Sequence, residues 1–408
     1  MSATDTAAAL PLDGLTPDRL WLRRVMAGAI FLFLASTYVS IAANSISLGV
    51  ITLTWIAMML LDRRLSVAST PLDYVFLAFV LVEVISTIFS SDPFQSLVLS
   101  RRVLLIGIVY LFATMVTTER FAKSVMVALL GSATLVAMLG VAKLVFADPA
   151  STVRLGIFQF YMTTAELMTI AMLLVLPFAI HAGTPRGIRI AAIAGLVPIV
   201  ISLYATVTRG AYLAVAAGII FIALVKNKKL ILILVLLIIL LVVIAPPYVE
   251  KRVESMLDLR HPENASRLVL WKAGVNIFLD HPIVGVGDID LGNLLVQYAG
   301  PELVERTGHL HNVMMQILVN FGLLGFAVVV AMFVKIFMTE WGVYRQTKDD
   351  WFRGSVSLGA LAVFVGLQIN GLTEWSFGDQ EVVVMLWTTV GMALAVGGLR
   401  SNNSQSKR

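Results

Sequence analysis

Sixteen consecutive residues from Leu230 to Ala245 carry no polar side chain, and Val313–Met338 is a longer run with few polar interruptions. Runs of this kind are long enough to cross a bilayer as helices, the form in which the chain satisfies its own backbone in hydrocarbon. They also typify the whole chain, which is 59% hydrophobic and 13% charged, too apolar for a soluble domain of 408 residues. The expected fold class is therefore an all-α polytopic membrane protein. The apolar periodicity predicts about twelve spans, near 25–43, 46–61, 74–90, 103–117, 125–146, 166–182, 188–204, 211–225, 230–245, 313–338, 355–372 and 382–398.

Positive charge assigns a side to the connections. Arg19/Arg23/Arg24, Arg63/Arg64, Arg120/Lys123, Arg186/Arg189, Lys226/Lys228/Lys229, Arg345/Lys348/Arg353 and Arg400/Lys407/Arg408 all fall on one side of this layout. By the positive-inside rule that side is the cytoplasm, with both termini there. Most of the basic residues are thus explained by topology, so the charge balance does not argue for nucleic acid. The start of the chain lacks the layout of a cleavable signal, and the first apolar run reads as a retained helix. With no cysteine, disulfides and thiolate metal sites are excluded.

Residues 1–245 would then form spans one to nine, 313–398 spans ten to twelve, and 399–408 a disordered cytoplasmic tail. The connection 246–312 is too long for a turn and is expected on the outer face as a small helical cap. Val249, Val253 and Met256/Leu257 recur at helical spacing. So do Leu268, Trp271, Val275 and Phe278/Leu279, after a cap at Asn264 or Ser266. Asp280-His281-Pro282 should stop that helix, with a tight turn at Gly285-Val286-Gly287.

Where this connection re-enters the membrane, His309 and His311 precede a helix on which Asn312, Gln316 and Asn320 fall four apart. Such a stripe should face protein or water, since an unpaired amide in lipid is costly. Gly322 and Gly325 would leave a smooth patch for a neighbouring helix. The ionisable residues that topology does not explain are Arg101/Arg102, Arg154, Arg209 and Arg267, all on external connections. Planar guanidinium groups converging there suit a lipid-linked diphosphate, the alternatives being snorkelling to outer headgroups or pairs with carboxylates such as Asp92, Asp148 or Glu374. Glu83 and Glu166 suit a proton path or, at least as well, a structural or cavity-lining role. Glu374, Asp379 and Glu381 read as a solvated acidic turn. His281 reads as a helix-end residue, and a zinc site from His281, His309 and His311 has little beyond a His-x-His pair to support it.

His311-Asn312, followed after nine residues by Gly322-Leu-Leu-Gly325, resembles the signature of the O-antigen ligase/polymerase superfamily of bacterial membrane glycosyltransferases. Thr208-Arg209-Gly-Ala, Ser266-Arg267-Leu-Val-Leu-Trp271-Lys-Ala and His281-Pro-Ile-Val-Gly-Val-Gly287 agree in kind and order, and the likeness covers roughly 150–390. Related proteins often continue past Leu155–Phe158 into an Asn-containing segment, where this chain has Gln159-Phe-Tyr-Met-Thr-Thr. The resemblance implies an inverting transfer of a glycan from undecaprenyl diphosphate to a sugar hydroxyl. It would take place at the periplasmic face of the inner membrane, among membrane lipids, with no cofactor and no metal. It implies His311 as general base and Arg209 and Arg267 on the diphosphate, with Arg102, Arg154, Trp271, His309 and Asn312 as further substrate-binding candidates. The acceptor would be lipid A–core in a ligase and another lipid-linked glycan in a polymerase. A lipid-linked sugar flippase is the reading from another class. Against it, the polar residues cluster at one face and no paired broken spans stand out.

Overall fold

The computed structural model describes residues 17–399 apart from 64–65, 147–153, 230, 233–234, 237–238, 240–253, 256–257, 259 and 304–305. The N-terminal helices are α1 (Pro17–Ser36), α2 (Ile41–Asp62), α3 (Asp73–Ile88) and α4 (Pro93–Ser100). A 3-10 segment, Arg101–Ile106, leads into α5 (Gly107–Met115), followed by α6 (Glu119–Phe146), α7 (Tyr161–Ile180), α8 (Arg186–Ala205) and α9 (Arg209–Lys226). Next come α10 (Pro262–Asp280), α11 (Gly292–Ala299), α12 (Val313–Thr347), α13 (Trp351–Asn370) and α14 (Gln380–Gly398). The protein is an all-α, multi-pass membrane protein.

Among the described residues 9 helical stretches are long and apolar enough to cross a membrane, so the expected twelve are not all recovered. Of the other three, α1 opens on the charged residues Asp18, Arg19, Arg23 and Arg24, α3 is only 16 residues long, and 230–245 lies largely outside the described residues. Burial sorts the helices into layers. Of the apolar stretch, 83% is buried in each of α7, α13 and α14, against 22% in α2. The three inner helices pack on one another, and α9 closes against α7 and α13. Leucines such as Leu53, Leu60 and Leu135 point outward, as expected where the solvent is lipid.

The 35-residue α12 is two helices in one. Gly322 (φ 61, ψ −165) lies in a region open essentially to glycine alone. The segment His281–Gly287 fills the break with its own backbone. Leu323 N donates to Pro282 O (2.8 Å) and Leu324 N to Ile283 O (3.1 Å), while Val286 N and Gly287 N donate to Val319 O (3.0 Å) and Asn320 O (2.9 Å). Ser86 of α3 adds bonds to Val284 O and Asn320 O. The donors and acceptors that a break would strand in the membrane are satisfied by the loop.

This corrects the expected helix-packing patch at Gly322 and Gly325. Gly325 does meet a neighbour, Val82 of α3, but Gly322 faces the backbone of Ile283–Val284. A Cβ on Gly322 would lie 2.4 Å from Ile283 C and O, and one on Gly285 (φ 71) 2.4 Å from Asn320 C and O. Gly322→Ala and Gly285→Ala are expected to destabilise by roughly 3 kcal/mol or more, from backbone strain plus overpacking. Gly131→Ala, with nothing within 4 Å, is the control that should change little. Thermal unfolding of purified protein in detergent checks this, and a wild-type midpoint for Gly322→Ala would refute it.

Within the segment 246–312 expected as a cap, the described residues form α10 and α11 with a small core: Leu270, Ala273 and Ile277 against Leu291, Leu295, Leu310 and Val319. Helix α10 does end at Asp280, and Gly285 and Gly287 take positive φ. Its start and phase differ from expectation. It begins at Pro262 after His261, with neither Asn264 nor Ser266 as cap, and buries Leu270, Ala273, Gly274 and Ile277 while Leu268, Val275 and Leu279 are exposed. Apolar residues occur on both sides of α10, and the small Ala273 and Gly274 select the side that lies close to Leu310. The expected helical spacing of Val249, Val253 and Met256/Leu257 falls outside the described residues, as does the tail beyond 399.

Candidate functional site

Two loops meet at the cap end of the bundle. One is 309–312, leading into α12; the other is 371–379, between α13 and α14. Asn312 caps α12, its Oδ1 accepting from Met315 N (3.0 Å), while its Nδ2 donates to Leu372 O (2.9 Å). Val313 N donates to Gly371 O (2.6 Å). These bonds hold His311 beside Glu374. His311 itself sits at φ 48, an uncommon left-handed conformation outside glycine that recurs at functional positions.

The contact at the centre is between His311 Nδ1 and Glu374 Oε2, at 3.1 Å. The other oxygen of Glu374 accepts from Arg267 Nη2 at 2.6 Å. One buried carboxylate therefore fixes both the imidazole and the guanidinium, and leaves the second ring nitrogen of His311 free to face a substrate. In this tautomer Nδ1 carries the hydrogen and Nε2 the lone pair, the arrangement a general base needs. Glu374 is not the solvated group its acidic turn suggests; it is buried against its two partners. Nor are its neighbours solvated: Asp379 accepts from Thr163 Oγ1 (2.6 Å), and Glu381 is buried.

A second cluster lies one helical turn away, because Glu263 and Arg267 are four apart on α10 and share a face. Arg209, at the start of α9, donates through Nη2 to Glu263 Oε2 (2.9 Å) and Asn264 Oδ1 (3.1 Å). Its Nη1 donates to the backbone and hydroxyl oxygens of Ser255 (2.9 and 3.1 Å). Arg154 reaches the other oxygen of Glu263 at 3.4 Å, with its guanidinium 4.6 Å above the Tyr161 ring. Gly210 keeps this corner tight: a Cβ there would lie 2.8 Å from Asn370 Oδ1 and Thr373 Oγ1 and 3.7 Å from Glu374 Cγ. Val207, two residues before Arg209, is buried at φ 52, a costly conformation for a β-branched residue. Arg209 and Arg267 thus both lie at the N-terminal half of α10, each seated on its own carboxylate.

The remaining candidates separate. Trp271 Nε1 donates to Leu310 O (3.0 Å) and supports the histidine loop from behind. The His309 ring packs edge-on against His311 at 4.3 Å. Burial, and then the nearby His311, push the His309 pKa down to about 4. A depressed value means that the folded state favours neutral His309. The stabilising contribution is full above pH ~6.5 and is lost as pH falls through about 4. Over that window the unfolding midpoint should fall more steeply in wild type than in His309→Gln, and parallel curves in a thermal-shift series would refute the assignment. Arg102 lies apart, lining a cavity of about 60 Å³ with Glu83, Asp288 and aromatic residues. Burial raises the Asp288 pKa, and Arg102 opposes that rise.

The polar stripe on α12 faces protein, as expected. Gln316 Oε1 accepts from Leu310 N (2.9 Å), Gln316 Nε2 donates to Asn320 Oδ1 (3.1 Å), and Asn320 Nδ2 donates to Asp288 Oδ1 (3.0 Å). Glu166 backs the 371–379 loop, accepting from Asn370 Nδ2 (2.5 Å) and Ser376 Oγ (3.0 Å). His281 ends α10, away from His309 and His311, and no group of three or more His, Cys, Asp or Glu among the described residues could hold a metal ion. Glu263 was not anticipated; the available signal was its spacing of four from Arg267.

Residues 194–330 match the model of a family described as O-antigen ligase. No curated protein matches the chain. Among solved structures the chain is similar to one from a peptidoglycan synthase complex that coordinates polymerization and crosslinking. The two share 20% identity at a TM-score of 0.47, over 80% of this chain and 96% of that one.

Proposed function

We propose that this chain, whose residues 194–330 match the model of a family described as O-antigen ligase, transfers a glycan from undecaprenyl diphosphate to a sugar hydroxyl. The observation that carries this reading is the buried Glu374 carboxylate shared between His311 and Arg267, with Arg209 and Arg154 one helical turn away. His311 Nε2 takes the proton of the acceptor hydroxyl. The hydroxyl oxygen bonds to the anomeric carbon, the bond from that carbon to the phosphate oxygen breaks, and the diphosphate leaves with the electron pair. Attack opposite the leaving group inverts the anomeric configuration. The arginines take up the charge that develops on the diphosphate, a role guanidinium fills through paired hydrogen bonds. Transfer should therefore persist after thorough chelation; activity lost with chelator and restored only by a divalent cation would overturn that part.

A flippase reading is the less economical. Broken membrane helices in transporters leave backbone groups to coordinate a ligand, whereas the break at Gly322 is closed by the chain's own His281–Gly287 backbone. The acceptor separates two transferase readings that use the same catalytic geometry. In a ligase it is lipid A–core at the periplasmic face of the inner membrane; in a polymerase it is another lipid-linked glycan. The test offers purified protein a defined undecaprenyl-diphosphate glycan together with both acceptors, and weighs the products. Glycan on lipid A–core identifies a ligase, a lengthened lipid-linked glycan identifies a polymerase, and neither product would reject the proposal.

A further inference from the structure

Resting on the diphosphate reading above, we infer that Glu263 is a built-in placeholder for a donor phosphate, displaced when the donor binds. Its two oxygens occupy the space between Arg209 (2.9 Å) and Arg154 (3.4 Å), which is where a phosphate spanning both guanidinium groups would sit. The two carboxylates of the site differ in how far they can move. Glu374 has a side chain 9% exposed, gripped on both oxygens by Arg267 and His311, and it stays. Glu263 is 42% exposed, in the first turn of α10, and can turn its carboxylate out to water without unpacking the helix.

The arginines do not need Glu263 to hold their positions. Arg209, 8% exposed, keeps three neutral acceptors in Ser255 O, Ser255 Oγ and Asn264 Oδ1. Arg154 keeps its seat over the Tyr161 ring. Removing the carboxylate therefore takes one negative charge from two guanidinium groups that keep these seats. What Glu263 adds is selectivity. It offsets one of their two positive charges when no donor is present, so an anion must outcompete a tethered carboxylate to enter. A diphosphate, with more charge and more acceptor oxygens, does so more readily than a polyprenyl monophosphate.

The experiment measures binding of undecaprenyl diphosphate and undecaprenyl monophosphate to the purified full chain, wild type against Glu263→Gln and Glu263→Ala. Partly exposed ion pairs are individually weak, so the expected gain is about three- to tenfold tighter diphosphate binding, with a larger relative gain for the monophosphate. The unfolding midpoint should fall at the same time, because the two guanidinium groups lose a carboxylate that they share. Tighter binding from a less stable protein is not what structural damage produces. Unchanged or weaker binding in the folded variants would overturn the inference, as would failure of both variants to fold, which would make Glu263 a structural partner of the arginines. Arg209→Lys separates this from the reading beneath it. If that variant binds diphosphate as wild type does, the diphosphate site itself is wrong, whatever Glu263→Gln does.

Discussion

Replacing His311 by alanine is expected to cut glycan transfer by about 10²- to 10⁴-fold, the range for removal of a general base. Binding of the lipid diphosphate should persist, because the arginines lie on α9 and α10 and on the segment before α7, not on the histidine loop. Glu374→Gln sharpens the assignment. The amide keeps the shape but can present its NH₂ group to Nδ1, which favours the wrong tautomer and puts hydrogen on Nε2. Turnover should fall while KM for the donor moves little, and the pH profile should change shape. Near-full transfer by folded His311→Ala would sink the base assignment. His309, the neighbouring ring, would then be the next residue to test.

The second large effect is expected at the two arginines. Arg209→Lys and Arg267→Lys keep the charge but lose the forked donors that reach two acceptors at once. Each should weaken donor affinity by roughly 10- to 100-fold, the equivalent of one charge-assisted hydrogen bond or more. If one diphosphate spans both groups, the double variant should lose less than the product of the single effects. Arg267 carries an added liability. Its partner Glu374 is buried, so Arg267→Ala should also destabilise the fold by about 3–5 kcal/mol, as when one side of a buried pair is removed. Affinity and turnover normalised to folded protein decide the matter. Lysine variants indistinguishable from wild type in both would return these arginines to interfacial anchoring.

Much of the frame was legible because a bilayer enforces it. Long apolar runs had to be helices, and the amide stripe of Asn312, Gln316 and Asn320 had to find protein partners, which it does in Leu372, Leu310 and Asp288. His311, Arg209 and Arg267 were legible as polar groups at one face. Contacts between distant segments were not. Glu374 belongs to an acidic turn that would be solvated by its neighbours alone, and only the arrival of Arg267 and His311, 107 and 63 residues away in the chain, buries it. The phase of α10 was misread because large apolar residues outweigh Ala273 and Gly274 in any hydrophobic count, although the small residues permit the close approach. Arg102 falls with the other arginines on the expected external connections, yet lines a separate cavity with Glu83 and Asp288.

The insertion of His281–Gly287 into α12 sets a rule for exchanging parts between related enzymes. A chimera that swaps the extramembrane segment alone would bring a foreign loop to a gap shaped by Gly322 and Ser86. It would leave backbone donors at Leu323 and Leu324 unmet in hydrocarbon. The transplantable unit runs from the start of α10 through Gly325, crossing the formal border between cap and membrane, with the Ser86 face of α3 matched to it. Any property of the cap can then be moved between homologues only together with part of the bilayer-embedded scaffold.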